Sequence, residues 1–207
     1  MRLTDERYRR DLRRLTLARR LVRFEVRTSL VAEWTGLTES RVRALYRHEL
    51  AQGVAEATHR RRGPAPHQLM RLCGSPTARS ESGAAAAACQ LHGVFPLERG
   101  EAAAKRVATV ERGERLCAAY ESYRAQVPAA SLTLDQVMLL VRGIVAGTEI
   151  VTMTCAACDS LLVVECGLPR APQCAVCRTP APTRRARRAR AASIAPNAEP
   201  SLQQSLF

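Results

Sequence analysis

Two cysteine pairs, Cys155-Ala-Ala-Cys158 and Cys174-Ala-Val-Cys177, stand fifteen residues apart near the C-terminal end of a 207-residue chain. Two residues between thiols let a tight turn aim both sulfurs at one point, and two such turns complete a tetrahedral set with metal–sulfur bonds of about 2.3 Å. The spacing therefore predicts one Zn²⁺ per chain, held by Cys155, Cys158, Cys174 and Cys177. Such a closed site has no open position for a reacting water, so its role is structural: the ion shapes a segment of roughly 151–180 that is too small to hold itself. Leu161, Leu162, Val163 and Val164 read as a strand between the two turns, with Pro169 and Pro172 in the return loop. Cys166 lies between the pairs, but the seven residues separating it from Cys174 suit a metal less well than C-x-x-C. Two separate buried pairs, or a thioredoxin-like redox pair, are the alternatives; the redox motif needs a βαβ setting and a single active pair. Cys73, Cys89 and Cys117 are isolated and read as small buried hydrophobes.

Around this segment the chain has the size of one ordinary domain or two small ones. Apolar residues make up 46% but aromatic residues only 4%, so the core is expected to be aliphatic and helical. No apolar run is long enough for a membrane span, and the N-terminus MRLTDERYRRDLRR has no secretory apolar segment. The expected location is the cytoplasm, where thiols stay reduced and eight cysteines do not form a disulfide framework.

The net charge of +13 is unevenly placed. Residues 1–62 carry 16 Arg against 8 acidic residues, 63–177 carry 10 basic against 10 acidic, and 178–207 carry 6 Arg against 1 acidic. Two basic ends around a neutral middle suit a polyanion gripped at two places, and nucleic acid is the first partner this suggests. A membrane-surface helix would place bulky apolar residues opposite the charge, and the first segment has few.

Residues 4–27 read as one long amphipathic helix with Leu12, Leu15, Leu17, Leu21, Val22 and Phe24 as its apolar stripe. Across 28–50 a small residue, Ala32, is followed four places on by Gly36, and Leu37, Val42 and Leu45 stand one, six and nine places beyond that glycine. These are helix-turn-helix spacings: the alanine lets two helices approach, the glycine permits the turn, and the three apolar residues pack the second helix on the first. Thr38 is a suitable N-cap. The outer face of the second helix then shows Glu39, Ser40, Arg43 and Arg47, with Arg41 at its flank, placed to reach guanine edges or phosphates in a major groove. Arg9, Arg10, Arg13 and Arg14 read as a solvated face, and Trp34 as packing. An αα-hairpin in a helical core is the bland alternative.

Gly63-Pro64-Ala65-Pro66 closes this basic region, 1–62. Residues 63–97 read as a Pro/Gly/Ala linker or a weak helix, and 98–150 as a helical region. Within it, 100–126 has helical composition, and Thr133-Leu-Asp-Gln136 has the form of a capping box opening a helix that Gly147 stops. The zinc-binding segment follows at 151–180. Residues 181–207 form a basic tail, too polar to order alone, in which Arg184, Arg185, Arg187 and Arg188 would track phosphates. His48, His59, His67 and His92 are scattered in basic or loop contexts, so no catalytic arrangement is expected and the chain reads as a binding protein, not an enzyme. The fold class is mainly α: an N-terminal helix-turn-helix region, a helical middle and a small Cys₄ segment. A zinc-knuckle RNA-binding protein is disfavoured because 151–179 contains no aromatic residue for base stacking.

The stretches LTESRVRALYRHEL, RGPAP, AAYESYRAQVP, VRGIVAGTEIVTMTCAAC and QCAVC together resemble the FlhC family, the zinc-containing subunit of a flagellar transcription activator. The likeness touches most of residues 10–180 and is most specific at the C-x-x-C pairs. It implies a DNA-binding activator subunit that works in a hetero-oligomer with FlhD, coordinates zinc through the four named cysteines and recruits RNA polymerase to flagellar and related promoters. Where the family has a Trp-Phe stretch after its Pro-rich segment, this chain has SPTARSESGAAAAACQL.

Overall fold

The computed structural model describes residues 2–51, 63–168 and 172–178, and among them the chain is mainly helical with one antiparallel hairpin. No helix among these residues is long and apolar enough to cross a membrane. Helix α1 (Arg2–Arg23) buries Leu17, Ala18, Leu21 and Val22, whereas its first turns with described side chains, from Asp5 to Arg10, are exposed. It stops four residues short of the expected end. Glu25 takes a left-handed φ of 59°, and Val26 N–H returns to the Leu21 carbonyl at 3.1 Å, so the last turn closes on itself and frees Thr28 to begin a new helix.

Helices α2 (Thr28–Thr35) and α3 (Glu39–Ala51) pack on α1 and on each other. The segment left open between linker and weak helix contains a 3-10 turn (Leu69–Leu72) and α4 (Pro76–Leu91). Ser75 caps α4 by accepting the Ala78 N–H at 3.1 Å, with Pro76 at its first position, where a missing N–H costs nothing. Its buried residues, Ser82, Gly83, Ala85, Ala86, Ala88 and Cys89, are all small. That is why a sequence resembling a linker forms the middle of the fold: α4 can lie close to several neighbours at once.

The stretch 100–126 is not one helix. α5 (Glu101–Lys105) ends, Val107 is buried in the break, and Thr109 caps α6 (Val110–Gln126) through the Arg112 N–H at 3.3 Å. α7 (Leu134–Ala146) has the expected box: Thr133 Oγ1 accepts the Gln136 N–H, Gln136 Oε1 accepts the Thr133 N–H, and Gly147 closes the helix at φ 68°. The core runs without a break from Leu17 to Val163.

Charge joins the basic N-terminal helices to the neutral middle. Arg13 and Arg20 each grip a carboxylate of α6 with two nitrogens, Glu114 and Glu121, both at 2.6 Å in the shorter contact. Arg142 of α7 reaches Glu33 of α2 at 2.6 Å. Between α1 and α2, Arg27 binds the buried Asp135 of α7 through both its guanidinium and its backbone N–H. Glu81 of α4 is enclosed by Tyr123 Oη–H at 2.6 Å and by donors from Ser131 and Leu132.

Candidate metal centre and helix-turn-helix

Strands β1 (Ile150–Thr154) and β2 (Leu161–Glu165) pair antiparallel, with Ile150 opposite Glu165 and Thr154 opposite Leu161. Alternation along β2 divides two environments: Leu161 and Val163 face the main core, whereas Leu162 and Val164 pack with Cys155 and Cys174. The hairpin turn is the first C-x-x-C knuckle. Cys155 N–H bonds the Ser160 carbonyl at 2.9 Å, Asp159 N–H bonds the Cys155 carbonyl at 3.0 Å, and Asp159 takes the left-handed φ of 57° that Asp tolerates. The second pair opens the short α8 (Ala175–Arg178), and Ala156 N–H reaches across to the Pro172 carbonyl at 3.1 Å.

These two turns bring the four sulfurs within 4.8 Å of one another, with Cys158 and Cys174 at 3.7 Å. A tetrahedron with metal–sulfur bonds of about 2.3 Å has edges of about 3.8 Å, so the group can hold a metal ion. The surroundings favour the thiolate at Cys155 and at Cys174. N–H groups of Ala157 (3.5 Å) and Cys174 (3.3 Å) donate to the Cys155 sulfur and lower its pKa to about 6. The Cys177 N–H, at 3.3 Å, lowers that of Cys174. Hydrogen bonding with the sulfurs of Cys158 and Cys174 pushes Cys177 up to about 12, which is the proton a divalent cation would displace. Cys155 and Cys174 are buried, Cys177 is half-buried and Cys158 exposed. Cys166 is outside the group, its thiol donating to the Gly147 carbonyl at 3.4 Å. Cys73, Cys89 and Cys117 are buried, and burial pushes the last two thiols up to about 12.

The centre is docked onto α4. A Cβ on Gly83 would lie 1.9 Å from the Leu161 carbonyl oxygen, so helix and strand backbones are in direct contact there. Ser80, one turn earlier, accepts the Ala175 N–H at 3.0 Å and so reaches the second knuckle. Sequence reasoning missed both residues. Their signal was available in the run of small residues, which has no purpose on a solvated helix.

In the α2–α3 unit, Gly36 ends α2 at φ 68° and its N–H returns to the Ala32 carbonyl at 2.8 Å. Leu37 and Val42 are buried, Leu45 is half-buried, and Trp34 is packed inside. Thr38 stands just before α3; its carbonyl accepts the Val42 N–H at 3.1 Å and its hydroxyl meets that of Ser40 at 3.1 Å. Buried Glu49 and Tyr46 fix the inner face, Glu49 through Arg23 and Tyr46 through a hydrogen bond to the Val26 carbonyl. Ser40, Arg41, Arg43 and Arg47 are all on the exposed face. Arg43 is engaged with Glu39 at 2.5 Å, and among the described residues Arg41 and Arg47 pair with nothing. Of the arginines expected on a solvated face, Arg9, Arg10 and Arg13 are exposed, Arg13 while paired with Glu114, and Arg14 is half-buried over the turn, 3.8 Å from where a Gly36 Cβ would be. Arg184, Arg185, Arg187, Arg188 and the rest of the tail lie outside the described residues, as does His59.

Compared with protein-family models and with curated proteins, the chain matches none.

Proposed function

We propose that this chain is a DNA-binding transcriptional activator subunit, FlhC-like, that acts in the cytoplasm in a complex with an FlhD-like protein and recruits RNA polymerase to flagellar and related promoters. The observation that carries the DNA-binding part is the α2–Gly36–α3 unit, whose outer face leaves Arg41 and Arg47 unpaired among the described residues while Arg13, Arg20 and Arg27 are committed to carboxylates. Helix α3 lies in the major groove: a guanidinium there can take guanine O6 and N7 together, and Ser40 can reach an adjacent base or phosphate. Arginines of the tail add phosphate contacts whose affinity comes from counterion release. The activator role and its partners rest on the family resemblance.

The ion we assign to the four cysteines is Zn²⁺, one per chain. Four cysteine sulfurs within 4.8 Å of one another, with no oxygen or nitrogen donor in the group among the described residues, are a donor set that zinc favours. Bound there, it supplies a crosslink between the two knuckles and no reaction chemistry. The four sulfurs lie within 4.8 Å of one another, close enough for one ion to reach all of them.

The test is co-expression with an FlhD-like protein, followed by binding of the purified complex to a flagellar promoter fragment and to random duplex across a salt series. The reading expects a hetero-oligomer that prefers the promoter, with affinity for both duplexes falling steeply as salt rises. A chain that ignores both the partner and DNA at low salt would refute it.

A further inference from the structure

A cavity of about 330 Å³ opens where the start of α2, the 3-10 turn and α7 meet. Pro66, Leu72 and Leu139 give it an apolar wall. Arg27, His67, Gln68, Arg71 and Gln136 line the rest, and no Asp or Glu is among the described residues that line it. The charge of Arg27 is already balanced by Asp135 behind it. Gln136 uses its Oε1 on the Thr133 N–H, which leaves its amide hydrogens available. Arg71 is exposed and, among the described residues, its guanidinium has no partner. The cavity thus offers one uncompensated permanent cation, several neutral donors and an apolar wall, within the size range of small-molecule sites.

We propose that this cavity binds a small organic carboxylate, with the carboxylate on the Arg71 guanidinium, the amides of Gln68 and Gln136 beside it, and an apolar body against Leu72, Leu139 and Pro66. One net positive charge matches a monoanion, and a planar guanidinium receives a carboxylate through two parallel hydrogen bonds. Arg27 immediately precedes α2, so the occupant touches the joint that holds the helix-turn-helix on α7.

Benzoate is the probe, with benzamide as the same ring without charge and acetate as the charge without the ring. Thermal unfolding of the full metal-loaded chain should show a saturable rise in Tm with benzoate and little with the other two. Arg71→Gln removes no contact that holds the fold, so its unliganded Tm should match the parent while benzoate binds about tenfold more weakly or worse. Gln68→Ala should weaken binding less. The proposal is overturned by benzamide stabilising as well as benzoate, by a benzoate response unchanged in both variants, or by no saturable response. Neither DNA nor a partner protein is needed, so this result stands apart from the test of the proposed function.

Discussion

Replacing Gly83 by alanine probes how the four-cysteine segment is joined to the rest of the fold. On an ordinary helix the change stabilises by about 1 kcal/mol, because alanine is the better helix former. Here the added methyl lies 1.9 Å from the Leu161 carbonyl oxygen and 2.7 Å from its carbon, both backbone atoms that cannot rotate away. To reach an ordinary contact of 3.4 Å, helix and strand must part by about 1.5 Å. Overpacking of this kind costs about 1–3 kcal/mol, the upper end being apt for so close an approach. Separation also strains the hydrogen bond from Ala175 to Ser80, worth about 1 kcal/mol. The net expectation is a loss of about 2–3 kcal/mol, a Tm lower by roughly 4–12 °C for a chain of this size. Circular dichroism melting gives the Tm, and a chromophoric chelator gives the rate of metal release, which should rise. Ala87→Gly, on the same helix, should cost about 1 kcal/mol by propensity alone and leave metal release unchanged. A Gly83→Ala protein as stable as its parent, with the same release rate, would refute the docking argument.

Elemental analysis of Cys155→Ser, Cys158→Ser, Cys174→Ser and Cys177→Ser should show metal lost in each, while Cys166→Ser, whose thiol points to the Gly147 carbonyl, should retain it. Asp135→Asn strands the Arg27 charge against α7; because that guanidinium keeps 20% exposure, the expected loss is about 2–3 kcal/mol in urea unfolding, below that of a fully buried pair. Burial raises the Glu81 pKa, but donors from Tyr123, Ser131 and Leu132 outweigh it and hold the carboxyl below 4.5. Its stabilisation is therefore fully present above pH 4.5 and is lost as pH falls through the lower folded value; Glu81→Gln should flatten the acid limb of stability against pH, and an unchanged slope would contradict the assignment.

The sequence made some features legible because each is written in adjacent residues. Thr133 and Gln136 carry their own reciprocal hydrogen bonds, Gly36 and Gly147 carry their own left-handed turns, and each C-x-x-C knuckle is a local loop. Partners distant in the chain were not legible. Nothing near Gly83 announces that β2 will lie on it, and nothing near Arg13 or Arg20 names Glu114 or Glu121, about a hundred positions away, as their ion-pair partners. The end of α1 was misplaced for a related reason: Phe24, Glu25 and Val26 continue a helical composition, and only the closure of Val26 onto Leu21 stops the helix. Likewise the small residues of α4 lack a bulky apolar stripe, so their value appears only when backbones meet.

Whether α3 reads sequence is decided most directly by comparing Arg41→Ala and Arg47→Ala with Arg9→Ala, each co-expressed with the proposed FlhD-like partner, on a flagellar promoter and on random duplex at several salt concentrations. At least one α3 variant should lose about 1–3 kcal/mol of preference for the promoter, while Arg9→Ala at most weakens both duplexes alike and lowers the salt slope by about one unit. If both α3 variants weaken the two duplexes equally, α2 and α3 are a structural hairpin, and sequence is read elsewhere in the complex.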